Sequence, residues 1–292
     1  MTSRLALGTV QFGLDYGISN VTGITTPEEC AKILFVANCA GVDTIDTAIN
    51  YGSSEQVLGG LGMAGWRTIS KLPSLPEGCL DIYQWVQDQV NSSLNRLGLD
   101  RIYGFLLHNP SQVFDAFGPK ILDALFLMQR DGIVEKIGVS IYSPEQLARI
   151  YSVFKPDIVQ APLNLVDRRL VDSGWLDRLA SDGVEVHTRS AFLQGLLLME
   201  RPGAYFEPWR YLWSVWQNWL GENPTISPVA VCLAYPLSFP SISRVVVGVN
   251  CVNQLNELLA ASSNAEGIRC FPKISSSDNR LINPVNWSVT QG

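Results

Sequence analysis

Residues 68–108 read TISKLPSLPEGCLDIYQWVQDQVNSSLNRLGLDRIYGFLLH: a β-rich run, a long amphipathic stretch, then a second β-rich run. Thr68-Ile69-Ser70-Lys71 has strand character. Residues 82–97 carry Ile82, Trp85, Val86, Gln89, Val90 and Leu94 at the three-to-four spacing of a helix with one sheet-facing side. Tyr103-Gly104-Phe105-Leu106-Leu107 is strand-like again and nearly continuously apolar, as a strand covered on both faces should be. Strand, crossover helix, strand is the unit from which parallel sheets are built.

The unit recurs in both directions. Upstream, residues 5–10 suit a first strand. Thr26 suits a helix N-cap, Pro27 the first helical position, and Glu28 and Glu29 the positive helix end. Ala31, Leu34, Phe35, Asn38 and Cys39 continue that helix until Gly41 stops it. Thr44-Ile45-Asp46 is a second strand and residues 54–61 a helix. Downstream, strands at 136–139, 158–161, 184–188 and 244–247 alternate with helices at 120–130, 144–154, 175–181, 209–220, 228–238 and 252–261. About eight β/α units predict an α/β fold of the single (β/α)8 TIM-barrel type across residues 1–292. The Ser-rich stretch 275–292 reads as a surface tail, and no linker rich in Gly, Pro and Ser divides the chain. An open doubly wound sheet would need a G-x-G-x-x-G phosphate loop, and Gly8-Thr9-Val10-Gln11-Phe12-Gly13 lacks that spacing.

Composition narrows the function classes. With 292 residues, 47% hydrophobic and 16% charged, the chain can bury a sizeable core. A net charge of -6 offers no basic face to nucleic acid or anionic lipid. No apolar run reaches the roughly 18–20 residues of a membrane span, and no signal-peptide core follows Met1, so a cytoplasmic protein is expected. Six widely spaced cysteines without a C-x-x-C pair read as small apolar residues in a reducing compartment, and no metal is expected.

Barrel chemistry sits at the C-terminal ends of strands. Polar residues at those places form a short series: Asp46 and Tyr51 after the second strand, Lys71 ending the third and His108 ending the fourth. Ionisable groups from three successive strands would share one mouth.

Six segments, in order over residues 5 to 261, resemble the aldo/keto reductase superfamily. Asp46-Thr47-Ala48-Ile49-Asn50-Tyr51-Gly52 with Ser54-Glu55 is similar to its D-T-A-x-x-Y-G-x-S/N-E segment. Ile69-Ser70-Lys71-Leu72 and Leu106-Leu107-His108-Asn109-Pro110 resemble its lysine and histidine strands. Ile137-Gly138-Val139-Ser140, Val159-Gln160-Ala161-Pro162-Leu163-Asn164, and Val247-Gly248-Val249-Asn250 with Gln254-Leu255 and Glu257 match later signatures. The resemblance implies NAD(P)H-dependent reduction of a small aldehyde or ketone, with Tyr51 as acid, Lys71 and Asp46 behind it, and a neutral His108 orienting the substrate oxygen. The chemistry is coherent, because an isolated phenol is a weak acid and a neighbouring cation eases loss of its proton.

For the cofactor, the resemblance implies carboxamide contacts from Ser140 and Gln160 with Asn164 in support, and a dinucleotide segment including Gly248, Asn250 and Gln254. Two departures stand out. Ile141 replaces the usual asparagine, and Arg189 in Val186-His187-Thr188-Arg189-Ser190 stands where the family offers an aromatic ring to nicotinamide. A guanidinium plane can also stack there, but its charge disfavours the oxidised cofactor; the bland alternative is an ion pair. NADP is the implied cofactor, with NAD the alternative, because residues 249–257 contain no Lys or Arg to grip a 2′-phosphate. Asn250 could cap the last helix, whose free N–H groups attract an anion. Trp209, Tyr211, Trp213, Trp216 and Trp219 read first as a packed helical face and second as pocket rings for a sugar or aromatic carbonyl. Competing functions are a lyase or aldolase using Lys71 as a Schiff-base nucleophile, and a dinucleotide-binding sensor with little turnover.

Overall fold

In the computed structural model, which describes residues 4–287, eight parallel strands pair in sequence order and the last returns to the first to close a barrel. The strands are β1 (Leu5–Gly8), β2 (Thr44–Asp46), β3 (Arg67–Leu72), β4 (Ile102–Leu107), β5 (Val134–Ser140), β6 (Ile158–Pro162), β7 (Glu185–Arg189) and β8 (Ile242–Gly248). The helices outside them are α1 (Pro27–Cys39), α2 (Ser54–Leu61), α3 (Ile82–Leu97), α4 (Gly118–Arg130), α5 (Glu145–Tyr151), α6 (Arg169–Asp172), α7 (Trp175–Ser181), α8 (Arg210–Glu222), α9 (Pro228–Leu237), α10 (Val252–Asn264) and α11 (Asn279–Ile282). This is the (β/α)8 TIM barrel that the sequence pattern predicts. No helix among the described residues is long and apolar enough to cross a membrane.

Local signals set the helix ends. The Thr26 hydroxyl accepts a hydrogen bond from Glu29 N at 3.3 Å with Pro27 in the first position, and Gly41 follows α1 at φ +76°, a left-handed stop. Asp81 caps α3 by accepting from Gln84 N at 3.0 Å. The face of α3 that packs inward is the ladder Ile82, Val86, Val90 and Leu94, joined by Ser93 and Leu97. Strand β1 stops at Gly8, short of the expected residues 5–10, because Val10–Phe12 turn into a single 3-10 helical turn.

Strand side chains alternate between two environments. Leu7, Ile45, Phe105, Leu107, Val159 and Val186 face the helices and belong to the main apolar core. Ile69, Leu106 and Ile158 form a separate cluster inside the barrel. Two residues further along the same strands come Lys71, His108 and Gln160, so a polar layer sits on an apolar plug. That layer is the floor of the site.

Trp209, Trp213 and Trp216 are buried in the outer core, and Trp219 stacks on Trp216 with ring centres 6.0 Å apart. The stretch read as a surface tail packs back over its described part. Leu281 and Ile282 are buried, the Tyr205 hydroxyl donates to the carbonyls of Arg280 and Asn286, and the Trp287 ring meets Phe206 at 5.0 Å. Residues 288–292 lie outside the described residues.

Candidate active site

The four ionisable residues read from strand ends converge at one end of the barrel. Lys71 Nζ donates to Asp46 Oδ1 at 2.7 Å and to the Thr47 carbonyl at 2.9 Å. Its side chain is 1% exposed, and that of Asp46 5%. The ammonium lies 5.0 Å from the centre of the Tyr51 ring, and that ring meets the His108 imidazole edge-on at 5.9 Å. Burial alone would depress the Lys71 pKa, but Asp46 and Tyr51 beside it outweigh burial and hold it above the usual value. His108 goes the other way. Burial, reinforced by the Lys71 and Arg189 charges and opposed by Asp46, lowers its pKa to about 4, so the ring is neutral at physiological pH.

The Tyr51 segment is held by the β1 turn. Ser54 Oγ donates to the Thr9 carbonyl at 2.8 Å and contacts Thr47 Oγ1 at 3.1 Å. A side chain at Gly13 would place Cβ 1.9 Å from the Tyr51 carbonyl, so only glycine allows this approach. Glu55 anchors the far side: it accepts from Ser70 and Ser93 hydroxyls, each at 2.6 Å, and from Arg96 Nε at 2.7 Å. The Ser54-Glu55 pair of the motif is therefore scaffolding, joining α2 to β3 and α3.

A cavity of about 500 Å³ opens above the polar floor and runs from Asp46, Tyr51 and His108 to Gln254 and Leu258 on α10. Ser140, Gln160, Arg189, Gly248, Asn250 and Gln254 all line it, whereas Asn164 does not. The Asn164 amide donates to the Ser190 carbonyl and accepts from Val166 N and Asp167 N, so it reaches the cavity only through the loop it steadies. That loop carries Ser190, Leu193 and Gln194 at positive φ, an uncommon conformation for such residues. Gln160 Nε2 donates to Asp46 Oδ2 at 2.6 Å, giving the carboxylate a second partner.

The residues fit a nicotinamide dinucleotide. Gly8 and Gly248 are paired strand neighbours without side chains, which leaves the wall open along the trough. A Cβ at Gly248 would lie 2.6 Å from the Gln11 amide, whose Oε1 is buried without a partner in the cavity wall. Ser140 and Gln160 would hold the carboxamide, and the Gly248–Gln254 stretch the far end.

The two departures from the family pattern touch each other: Arg189 Nη2 donates to the Ile141 carbonyl at 3.0 Å, and the guanidinium lies 4.7 Å over the Tyr142 ring. No carboxylate pairs with Arg189 among the described residues. Asn250 does not cap α10, whose N-cap is Cys251; its amide donates to Asn20 Oδ1 and Thr22 Oγ1 instead. The tryptophans do not line the cavity. Besides Tyr51 and His108, its rings are Tyr16, Tyr142 and Phe192, which sequence reading passed over. Gln11 and Tyr142 follow the ends of β1 and β5, so the rule that found His108 reaches them as well.

A closed parallel barrel with ionisable groups gathered at the C-terminal ends of its strands defines the class of (β/α)8 enzymes. Within that class, the model of the Aldo/keto reductase family matches residues 4–266, and the chain belongs to that family. An aldo-keto reductase of Mycobacterium sp. (strain KMS) is 30% identical over 128 residues, covering 42% of this chain and 45% of that protein, so the match spans less than half of that relative. An L-galactose dehydrogenase of Arabidopsis thaliana is 25% identical over 299 residues, covering 96% of this chain and 92% of that one. An aldo-keto reductase structure from Bacillus halodurans, in its holo form, has a TM-score of 0.72 at 19% identity, over 96% of this chain and 95% of that one, a likeness of fold.

Proposed function

We propose that this chain reduces a small aldehyde or ketone to the alcohol with a reduced nicotinamide dinucleotide, Tyr51 supplying the proton. The observation that carries this reading is the buried Lys71–Asp46 pair set directly behind Tyr51 at the cavity floor. Reduced nicotinamide, when bound, supplies hydride to the carbonyl carbon. Negative charge then develops on the carbonyl oxygen, and the Tyr51 hydroxyl donates its proton there. Lys71 stabilises the phenolate left behind, and Asp46, held by Gln160, keeps the ammonium charged and in place. Neutral His108 donates a hydrogen bond to the same oxygen and orients it.

The lyase reading fits less well, because a Schiff-base lysine must be neutral and reachable, whereas Lys71 is buried, paired and held in its charged form. The rings of Tyr16, Tyr142 and Phe192 suit an aromatic or sugar carbonyl. The test follows NADH and NADPH oxidation against a panel of aldehydes and ketones. Turnover with at least one carbonyl, abolished by Tyr51→Phe, supports the reading; dinucleotide binding without turnover across the panel would return the protein to a sensor role.

A further inference from the structure

The end of the trough away from Tyr51 is acidic. The only Lys or Arg in the described cavity wall is Arg189, which sits at the catalytic end, hydrogen-bonded to Ile141 and close enough to His108 to act on its charge. At the other end the wall includes Glu257, one turn beyond Gln254 on α10. Two of the backbone amides that a phosphate could use around this helix start are already engaged. Glu29 of α1 accepts from Val252 N, the first residue of α10, at 2.9 Å, and Gln254 Oε1 accepts from Asn250 N at 2.7 Å. Lys32 pairs with Glu29 at 3.3 Å, and neither side chain belongs to the cavity wall.

We propose that the chain selects NADH over NADPH, Glu257 receiving the hydroxyls of the adenosine ribose and repelling a 2′-phosphate. This rests on the dinucleotide-dependent reaction proposed above. The physical reason is an asymmetry between the two cofactors. A carboxylate accepts hydrogen bonds from two ribose hydroxyls, whereas a 2′-phosphate adds about two negative charges and only acceptor oxygens. With no facing cation, the phosphorylated ribose meets repulsion and loses its hydrogen-bond partner together.

Equilibrium titration of the full chain with NADH and with NADPH, read by nicotinamide fluorescence, tests this without turnover. NADH should bind at least about tenfold more tightly at low salt, and the gap should narrow at high salt as the repulsion is screened. Glu257→Gln should cut the preference by about threefold or more, and Glu257→Arg should reverse it. Circular dichroism confirms that each variant is folded, which the exposed position of Glu257 favours. NADPH binding as tightly as NADH overturns the proposal while leaving the reductase reading intact. So does a preference that neither variant moves. Failure of both dinucleotides to bind removes the reductase reading and this inference with it.

Discussion

Tyr51 and Lys71 act as a unit if the proton donor is a phenol supported by a buried ammonium. Tyr51→Phe deletes one hydroxyl and should lower carbonyl reduction by about 10²- to 10⁴-fold, the usual worth of a positioned acid, with dinucleotide affinity nearly unchanged. Lys71→Met should lower it as well, and the double variant should lose less than the product of the single losses, because the lysine works through the tyrosine. Steady-state kinetics of the four proteins check this; Tyr51→Phe turnover within about twofold of wild type would defeat the assignment. His108 gives a separate pH signature. Its folded pKa of about 4 lies below that of a free imidazole, about 6.5, so the fold favours the neutral ring. The unfolded chain therefore binds the proton first. The contribution to stability is full above about pH 6.5 and is lost as pH falls toward about 4. Nitrogen NMR of the ring should show a neutral imidazole at about pH 6, and a protonated one there would contradict the arrangement.

The element that sets the site is the β2–α2 connection, clamped from both sides. On one side Gly13 approaches the Tyr51 carbonyl too closely for any side chain. Gly13→Ala should leave the barrel folded yet displace the Tyr51 segment, lowering kcat by about 10²-fold, the penalty of a misplaced reacting group. Unchanged kcat in a folded Gly13→Ala protein would show that Tyr51 tolerates the shift. On the other side, Glu55→Ala removes the acceptor shared by Ser70, Ser93 and Arg96. Removing one partner of a buried ion pair lowers stability by roughly 3 kcal/mol, which urea unfolding would read directly. A loss below about 1 kcal/mol, the level of a surface pair, would mean that the cluster is not a clamp.

Across the whole molecule, the described end of the chain closes the barrel rather than trailing from it. Leu281 and Ile282 are buried, while Pro284 and Val285 belong to the cavity wall. Ending the chain after Ser277 should lower stability by about 3 kcal/mol or more, from the two aliphatic side chains returned to water. Calorimetry should register a lower Tm, and an unchanged Tm would show that the segment adds nothing to the barrel.

Eight β/α alternations, the caps at Thr26 and Asp81, and the apolar face of residues 82–97 are local properties, set by hydrogen bonding and side-chain periodicity within a few turns of chain. The sequence alone therefore determined the barrel, and counting from strand ends located Asp46, Tyr51, Lys71 and His108. It also marked Ile141 and Arg189 as departures from the family pattern. What joins them, a guanidinium on a backbone carbonyl 48 residues away, depends on β5 and β7 coming together across the barrel mouth. The same holds for Glu29 at the start of α10, where residues 223 apart meet, and for Asn250, drawn from its helix to Asn20 and Thr22. Whether residues 275–287 trail or pack depended on surface presented by Tyr205 and Phe206 in the segment before α8, which no local pattern encodes. Charge and burial at a point are sums over everything the fold gathers there, so only the tertiary structure decided them.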